Sequence, residues 1–269
     1  VTTGIIYYHA GRGFATRLCV SLVSLRQHYR GPVVIFTDAV AREMSQRIGS
    51  SLECSVVEVP TPQMRRHGHY LVKTQLWRHS PFDRGLFIDA DTVVAGPLDE
   101  LLQADGRVVL THFADWRSDG RKMRRRIEGF RGVTPAIDRL VEDQVSRSWP
   151  AINTGVFRFD RDYAGLEQWE SITAAVSPRF IADEIAAQVV FPCWGRDCTV
   201  VDDRWNCSPI FGAHKAEARV WHFHGEKHVR KGGEVFWMPA FQQAMADNVA
   251  GIRGWAAADD KWVREQRLA

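Results

Sequence analysis

Two aspartates one residue apart, Asp89 and Asp91, close the apolar run in GLFIDADTVV. Side chains alternate along a strand, so carboxylates two positions apart point the same way. At a strand end the chain can turn and aim both at one ligand. Hard divalent cations take such oxygen donors together with phosphate oxygens. The plain alternative is a polar strand terminus with a turn.

A second constellation lies late in the chain, in VWHFHGEKH. His222 is a candidate third metal ligand, since imidazole is tolerated by Mn²⁺. His224 falls on the same side if the strand is regular. Gly225 permits close backbone approach to a phosphate, which Lys227, His228 and Arg230 would neutralise. Asn153-Thr154-Gly155 opens another apolar run, and its amide can donate to and accept from sugar hydroxyls; an ordinary turn is the bland reading. Asp183 and Glu184 begin a helical pattern, where capping and the helix dipole already explain them. One of them could instead face a reacting sugar carbon. Lys73, on the helix before the aspartates, is a further candidate.

The elements that must position these residues follow from hydrophobic pattern. Strands are predicted over 4–9, 33–38, 52–59 and 85–94, alternating with helices over 14–29, 41–49 and 69–80. Strands at 107–113, 151–160, 199–203 and 218–225 follow, with helices over 163–176, 183–191 and near 236–247. Strands separated by helices of this length imply an α/β fold, with a mostly parallel sheet covered on both faces. Ligands of such sheets bind at the carboxyl ends of the strands. The chain reads as one domain over 1–250, with a basic insertion about 114–150 and a tail over 251–269 that could form a helix.

With 269 residues, 45% apolar and 25% charged, the chain is long enough for a sizeable core and is neither disordered nor fibrous. No apolar run reaches the roughly 20 residues of a membrane span, and no secretory signal is visible. Five cysteines suggest reduced thiols and a cytoplasmic setting. A zinc site from Cys193, Cys198, Cys207 and His214 fits no standard spacing, which favours free thiols. The net charge of +3 excludes a histone-like binder. The stretch 117–131 is different: six arginines and one lysine stand against Asp119 and Glu128, more positive charge than the whole chain carries. A solvated helix face is the plain reading. The sharper one is a site for an anionic acceptor, built from Arg121, Lys122, Arg124, Arg125 and Arg126.

Taken in order, these segments resemble the GT-A nucleotide-sugar glycosyltransferases, and among them the glycogenin-like family 8 enzymes. SLVSLRQHYRGPVVIFTD is similar to their first helix and second strand, and LVKTQLWRHSPFDRGLFIDADTVVAGPLDEL to their lysine-bearing helix and metal aspartates. AINTGVFRFD resembles their Asn-x-Gly strand, DEIAAQVVF their acidic helix, and FGAHKAEARVWHFHG their H-x-x-G segment. The resemblance implies a single Rossmann-like GT-A domain and a UDP-hexose donor with Mn²⁺ or Mg²⁺. It implies transfer to an acceptor hydroxyl with retention of configuration. Asp91 and His222 would hold the metal, with Asp89 serving metal and ribose. Lys73 would reach the donor sugar or diphosphate, Asn153 the transferred sugar, and Asp183 its reactive carbon. His9, Ala10, Thr37 and Asp38 would border the nucleotide base. Gly155, Gly225, Lys227 and His228 complete the expected donor site, and Asp183, Glu184 and Lys73 the catalytic set.

Two departures stand out. His228 occupies the position of the family's phosphate lysine, with Lys227 one place early. Glu184 and Gln188 replace the family's Gln and Asn, which adds a charge near the acceptor. The acceptor itself could be a glycan, a small molecule or a hydroxymethylated base in DNA. The rival classes are a metal-dependent nucleotidyl or phosphoryl transferase and a non-catalytic sugar-nucleotide binder.

Overall fold

The computed structural model describes residues 1–11, 13–60, 68–112, 121–146, 151–176, 181–191 and 196–259. Its first half alternates strand and helix as the pattern predicts: β1 (Thr3–His9), α1 (Ala15–His28), β2 (Val33–Thr37), α2 (Arg42–Ser51), β3 (Ser55–Glu58), α3 (His69–His79) and β4 (Arg84–Ile88). The apolar run 85–94 is two strands, not one. After Asp91 the chain leaves the sheet, and β5 (Thr92–Val94) pairs elsewhere. Then come α4 (Asp99–Gln103), β6 (Val108–His112), α5 (Arg121–Glu128), α6 (Pro135–Val145), β7 (Ile152–Asp160), α7 (Gly165–Val176), α8 (Ala182–Val190) and β8 (Cys198–Val201). The chain continues through β9 (Val220–His222), α9 (Glu226–His228), α10 (Glu234–Ala246) and α11 (Ala256–Asp259). Of the expected helical tail, α11 is described and residues 260–269 lie outside the described residues, as do 114–120 and 147–150 of the basic insertion.

Seven strands form one sheet in the order β3-β2-β1-β4-β7-β6-β8. β7 runs antiparallel to β4 and β6, and the other pairings are parallel. A small second sheet pairs β5 with β9 antiparallel, placing Thr92 opposite His222. Alternation along the strands feeds two cores. Ile5 and Tyr7 of β1, Ile35 of β2 and Leu86 of β4 face α1 and α10. Ile6, Val34, Phe36 and Phe87 face the opposite layer, which contains α3, α7 and α8. α1 is buried from Ala15 to Leu25, so its sequence carries apolar or small residues around most of its circumference. Cys19, Cys198 and Cys207 are buried free thiols. Cys193 of the discounted zinc set lies outside the described residues, while His214 pairs with Asp203.

Strand order reverses between β1 and β4, so the carboxyl ends of these two strands diverge into a crevice. β7 enters this edge from its amino end. Its register with β6 jumps from Phe157 at Leu110 to Asn153 at Thr111, so β7 bulges over Thr154, Gly155 and Val156. Thr111 Oγ1 closes the bulge on the carbonyls of Asn153 (3.2 Å) and Val156 (3.0 Å). Phe157 anchors the strand just below, stacked on Phe87 at 5.2 Å and edge-on to Trp169 at 5.2 Å. Truncation by Phe157→Ala should cost about 3–5 kcal/mol of folding free energy, read as a lower urea midpoint with an unchanged slope.

Candidate active site

Asp89 and Asp91 sit in the turn between β4 and β5, where the backbone passes from one sheet to the other. Asp89 N–H donates to the Gly155 carbonyl (2.7 Å), tying this turn to the bulge of β7. β9 brings His222 opposite. Its Nε2 lies 3.3 Å from Asp91 Oδ1 and 3.8 Å from Asp89 Oδ2. One ligand atom from each of the three residues lies within 4.8 Å of the others. The second oxygen of Asp91 accepts the Gly225 N–H at 2.7 Å, leaving Oδ1 for a cation. Gly225 has φ +83° and His224 φ +44°, so the chain turns sharply to deliver that N–H.

The orientation of His222 is settled by a chain of hydrogen bonds whose polarity starts from a backbone group. Gly155 N–H can only donate, and it donates to Asn153 Oδ1 (2.8 Å). Asn206 Nδ2 donates to the same oxygen (2.9 Å) and to Thr111 Oγ1 (2.8 Å). That leaves Asn206 Oδ1 facing His222 Nδ1 at 2.7 Å, so Nδ1 is the donor. Nε2 is therefore the nitrogen turned to the carboxylates. A second-layer carbonyl on the far ring nitrogen is the usual arrangement for a metal-ligating histidine. Two carboxylates and one imidazole so held fit a hard or borderline divalent cation such as Mn²⁺.

Lys73 is not a surface lysine. It is 9% exposed, with Nζ 3.1 and 3.3 Å from the two oxygens of Asp89 and 3.6 Å from Asp183 Oδ2. It also lies 4.6 Å above the Phe87 ring. Burial disfavours its charge, but Asp89, Asp183 and Glu184 outweigh that and raise its pKa. Burial also pushes Asp91 upward; His222, Arg17 and His224 overcome it and hold the carboxyl well below the usual range.

The opposite wall comes from the start of α8. Asp183 Oδ2 accepts from Thr154 Oγ1 at 2.8 Å, while Oδ1 is buried with no hydrogen-bond partner among the described residues. Glu184, 6% exposed, accepts from Asn153 Nδ2. Burial and the adjacent Asp183 push its pKa up to about 8, against Arg126, Lys73 and the Asn153 bond. Gln188 instead turns inward and accepts the Ile152 N–H at 3.1 Å. Asp89, Asp91, His222, Asn153, Asp183 and Glu184 line one cavity of about 390 Å³ with Tyr70, Arg126, Gly225 and Lys227. A neighbouring hollow of about 270 Å³ is lined by Tyr8, Ala10, Phe14, His69, Tyr70, Lys73, Asp89 and Asp91.

Not every sequence candidate reaches the cavity. His9 and Thr37 are buried behind it, linked through Ser45 Oγ at 2.8 and 3.0 Å. Asp38 accepts from Gly11 N–H (3.0 Å) and Ala41 N–H (2.7 Å), which organises the loop before α2. His228 does line the cavity, but it is buried against Ser208 Oγ at 3.2 Å, and burial with the neighbouring Lys227 lowers its pKa to about 4. Lys227 is exposed and lines the cavity. Of the basic helix, Arg126 lines the cavity, Arg124 and Arg125 are exposed, and the side chains of Arg121 and Lys122 lie outside the described residues. Sequence reasoning missed Asn206, Tyr70 and Phe14. Tyr70 had a usable signal, since it falls three residues before Lys73 on one helix face. Asn206 had none.

The fold belongs to a known class. The chain has the GT-A type of fold, as its resemblance to those enzymes implied. The galactosyltransferase LgtC, solved in complex with donor and acceptor sugar analogs, superposes with a TM-score of 0.61 at 11% identity, over 89% of this chain and 95% of that one. The bifunctional glycosyltransferase WbbM gives 0.57 at 13% identity, over 91% of this chain and 52% of that one. GlyE of Streptococcus pneumoniae TIGR4 gives 0.56 at 11%, over 93% and 64%. No protein-family model matches the sequence, and no curated protein matches it.

Two outcomes follow. A Cβ on Gly155 would stand 2.2 Å from His222 Cε1 and 2.7 Å from Asn153 Oδ1. Gly155→Ala should therefore displace the imidazole and weaken Mn²⁺ binding at least tenfold by calorimetry, while circular dichroism shows the fold retained. For Glu184, the unfolded carboxyl releases its proton near 4.5 and the folded one near 8. The native chain thus binds more protons in that interval, and its stability falls as pH rises across it. The stability of Glu184→Gln relative to wild type should grow by about 1.4 kcal/mol per pH unit there, measured by urea unfolding.

Proposed function

We propose that this protein transfers a sugar, from a UDP-hexose, to an acceptor hydroxyl with retention of configuration, aided by Mn²⁺ or Mg²⁺. The observation that carries the reading is the meeting of two sets of groups in one cavity. On one wall is the Asp89, Asp91 and His222 cluster; on the other are Asp183, with its unpartnered oxygen, and the Asn153–Glu184 pair.

A divalent cation held by that cluster would offset charge on the departing diphosphate. The protein's own groups supply the rest. Lys73 orders Asp89 and Asp183 and adds a buried positive charge beside the donor. Lys227 is the flexible cation for the phosphates, a task for which the buried, uncharged His228 is unsuited. Asp183 presents its free oxygen where positive charge develops on the sugar carbon. The smaller hollow, with Tyr8, Phe14 and Tyr70, suits a stacked nucleoside. Ala10 borders it, and His9, Thr37 and Asp38 support it from behind. Arg126, Arg124 and Arg125 stand on the side left for the acceptor, which would be a glycan, a small molecule or an anionic molecule such as hydroxymethylated DNA. No helix among the described residues is long and apolar enough to cross a membrane, and a cytoplasmic setting remains part of the proposal.

UDP-sugar hydrolysis, followed with and without Mn²⁺, tests this directly. Asp91→Asn or His222→Ala should reduce it about 10²–10³-fold. Unchanged turnover in either variant would sink the metal assignment. Release of a nucleoside monophosphate in place of the diphosphate would favour the nucleotidyl-transfer alternative. Asn206→Ala, which touches no ligand, should lower Mn²⁺ affinity about 10–100-fold by removing the bond that aims His222.

A further inference from the structure

Glu184 occupies a position where an anion is poorly provided for. It is buried beside Asp183 on the same helix. The lysine of this wall, Lys73 on α3, is already shared between Asp89 and Asp183. Tyr70, also on α3, is a phenol whose pKa burial and Asp183 push up to about 12, so it offers no charge. From α5, Arg126 attracts the carboxylate but only in part. α6 and α7 meet α8 through Gln144 and Trp169, both uncharged, which bond to the carbonyls of Val189 and Asp183. From β7 comes the Asn153 carboxamide, and its orientation is dictated. Its oxygen is occupied by Gly155 N–H and Asn206 Nδ2, so its NH₂ faces Glu184 Oε2. Oε2 is thereby an acceptor, and Oε1 is the oxygen left to carry a proton.

We propose that Glu184 serves as a neutral carboxylic acid whose Oε1–H donates a hydrogen bond to a hydroxyl oxygen of the sugar held in the cavity, making it a specificity-determining residue. It then offers one acceptor and one donor, as a carboxamide would. The apparent extra charge at this position is absent while the proton is held. Burial and Asp183 keep that proton in place to about pH 8. Above that, the donor disappears and a negative charge enters the sugar site. This inference rests on the sugar-transfer reading for its ligand, but the protonation of Glu184 does not.

Two measurements test it on the full chain. Difference infrared spectra between wild type and Glu184→Gln at neutral pH should show a protonated carboxyl band that vanishes with a midpoint near pH 8. Second, kcat/KM for UDP-sugar hydrolysis with Mn²⁺ should fall about tenfold per pH unit above that midpoint in wild type. Glu184→Gln, which keeps a neutral donor, should lack this limb. Glu184→Ala, which keeps none, should lose at least tenfold below the midpoint and should also lack the limb. An ionised Glu184 at neutral pH, or wild type and Glu184→Gln declining in parallel, would overturn the proposal. Absence of any UDP-sugar turnover with the infrared band present would instead overturn the sugar-transfer reading.

Discussion

The site depends on one backbone group that has no choice of role. Gly155 N–H must donate, and everything downstream inherits its polarity. Asn153 must present its oxygen to that N–H, Asn206 must then present its amide hydrogens, and His222 must donate from Nδ1. In the other direction the same constraint turns the Asn153 NH₂ toward Glu184. One turn of β7 therefore fixes both which nitrogen of His222 faces Asp89 and Asp91 and which oxygen of Glu184 accepts on the opposite wall. A residue with a side chain at 155 would occupy the imidazole's own space.

The bulge in β7 makes this possible. In a regular strand, Asn153 and Gly155 would both be committed to ladder pairing. Here the register with β6 jumps, and Thr111 seals the displaced carbonyls. The charges gathered around it are costly to bury unless each has a partner. The solution is sharing: Lys73 serves two carboxylates, Gly225 and His222 serve Asp91, and Thr154 serves Asp183. Asp183 Oδ1 is left over, and an unpaired buried oxygen is a feature expected of a group awaiting a ligand.

Much of this was legible in the residues. The alternating elements of the first third, the paired aspartates and the acidic helix start are local patterns, and local patterns survive folding. Direction and long-range pairing are not local. An apolar run such as that in AINTGVFRFD does not say which way it enters a sheet, so the reversal of β7 was invisible. GLFIDADTVV is apolar on both sides of its aspartates, and nothing in it marks the transfer to a second sheet. Lys73 was a candidate in the sequence, but its burial and ion pairs were not readable, because its partners lie in the turn after β4 and on α8. Asn206 sits in a loop without periodicity, and its importance exists only once three distant segments meet on it. Glu184 read as a charge because a sequence carries no dielectric.

The bond between Asp91 and Gly225 joins positions 134 residues apart. On a ribosome adding about 5–20 residues per second, the aspartates emerge on the order of ten seconds before the segment that completes them. During that interval the nascent chain displays two acidic side chains without their imidazole. A cation that needs all three residues therefore cannot guide early folding. It could be held only after β9, which carries His222, has been made.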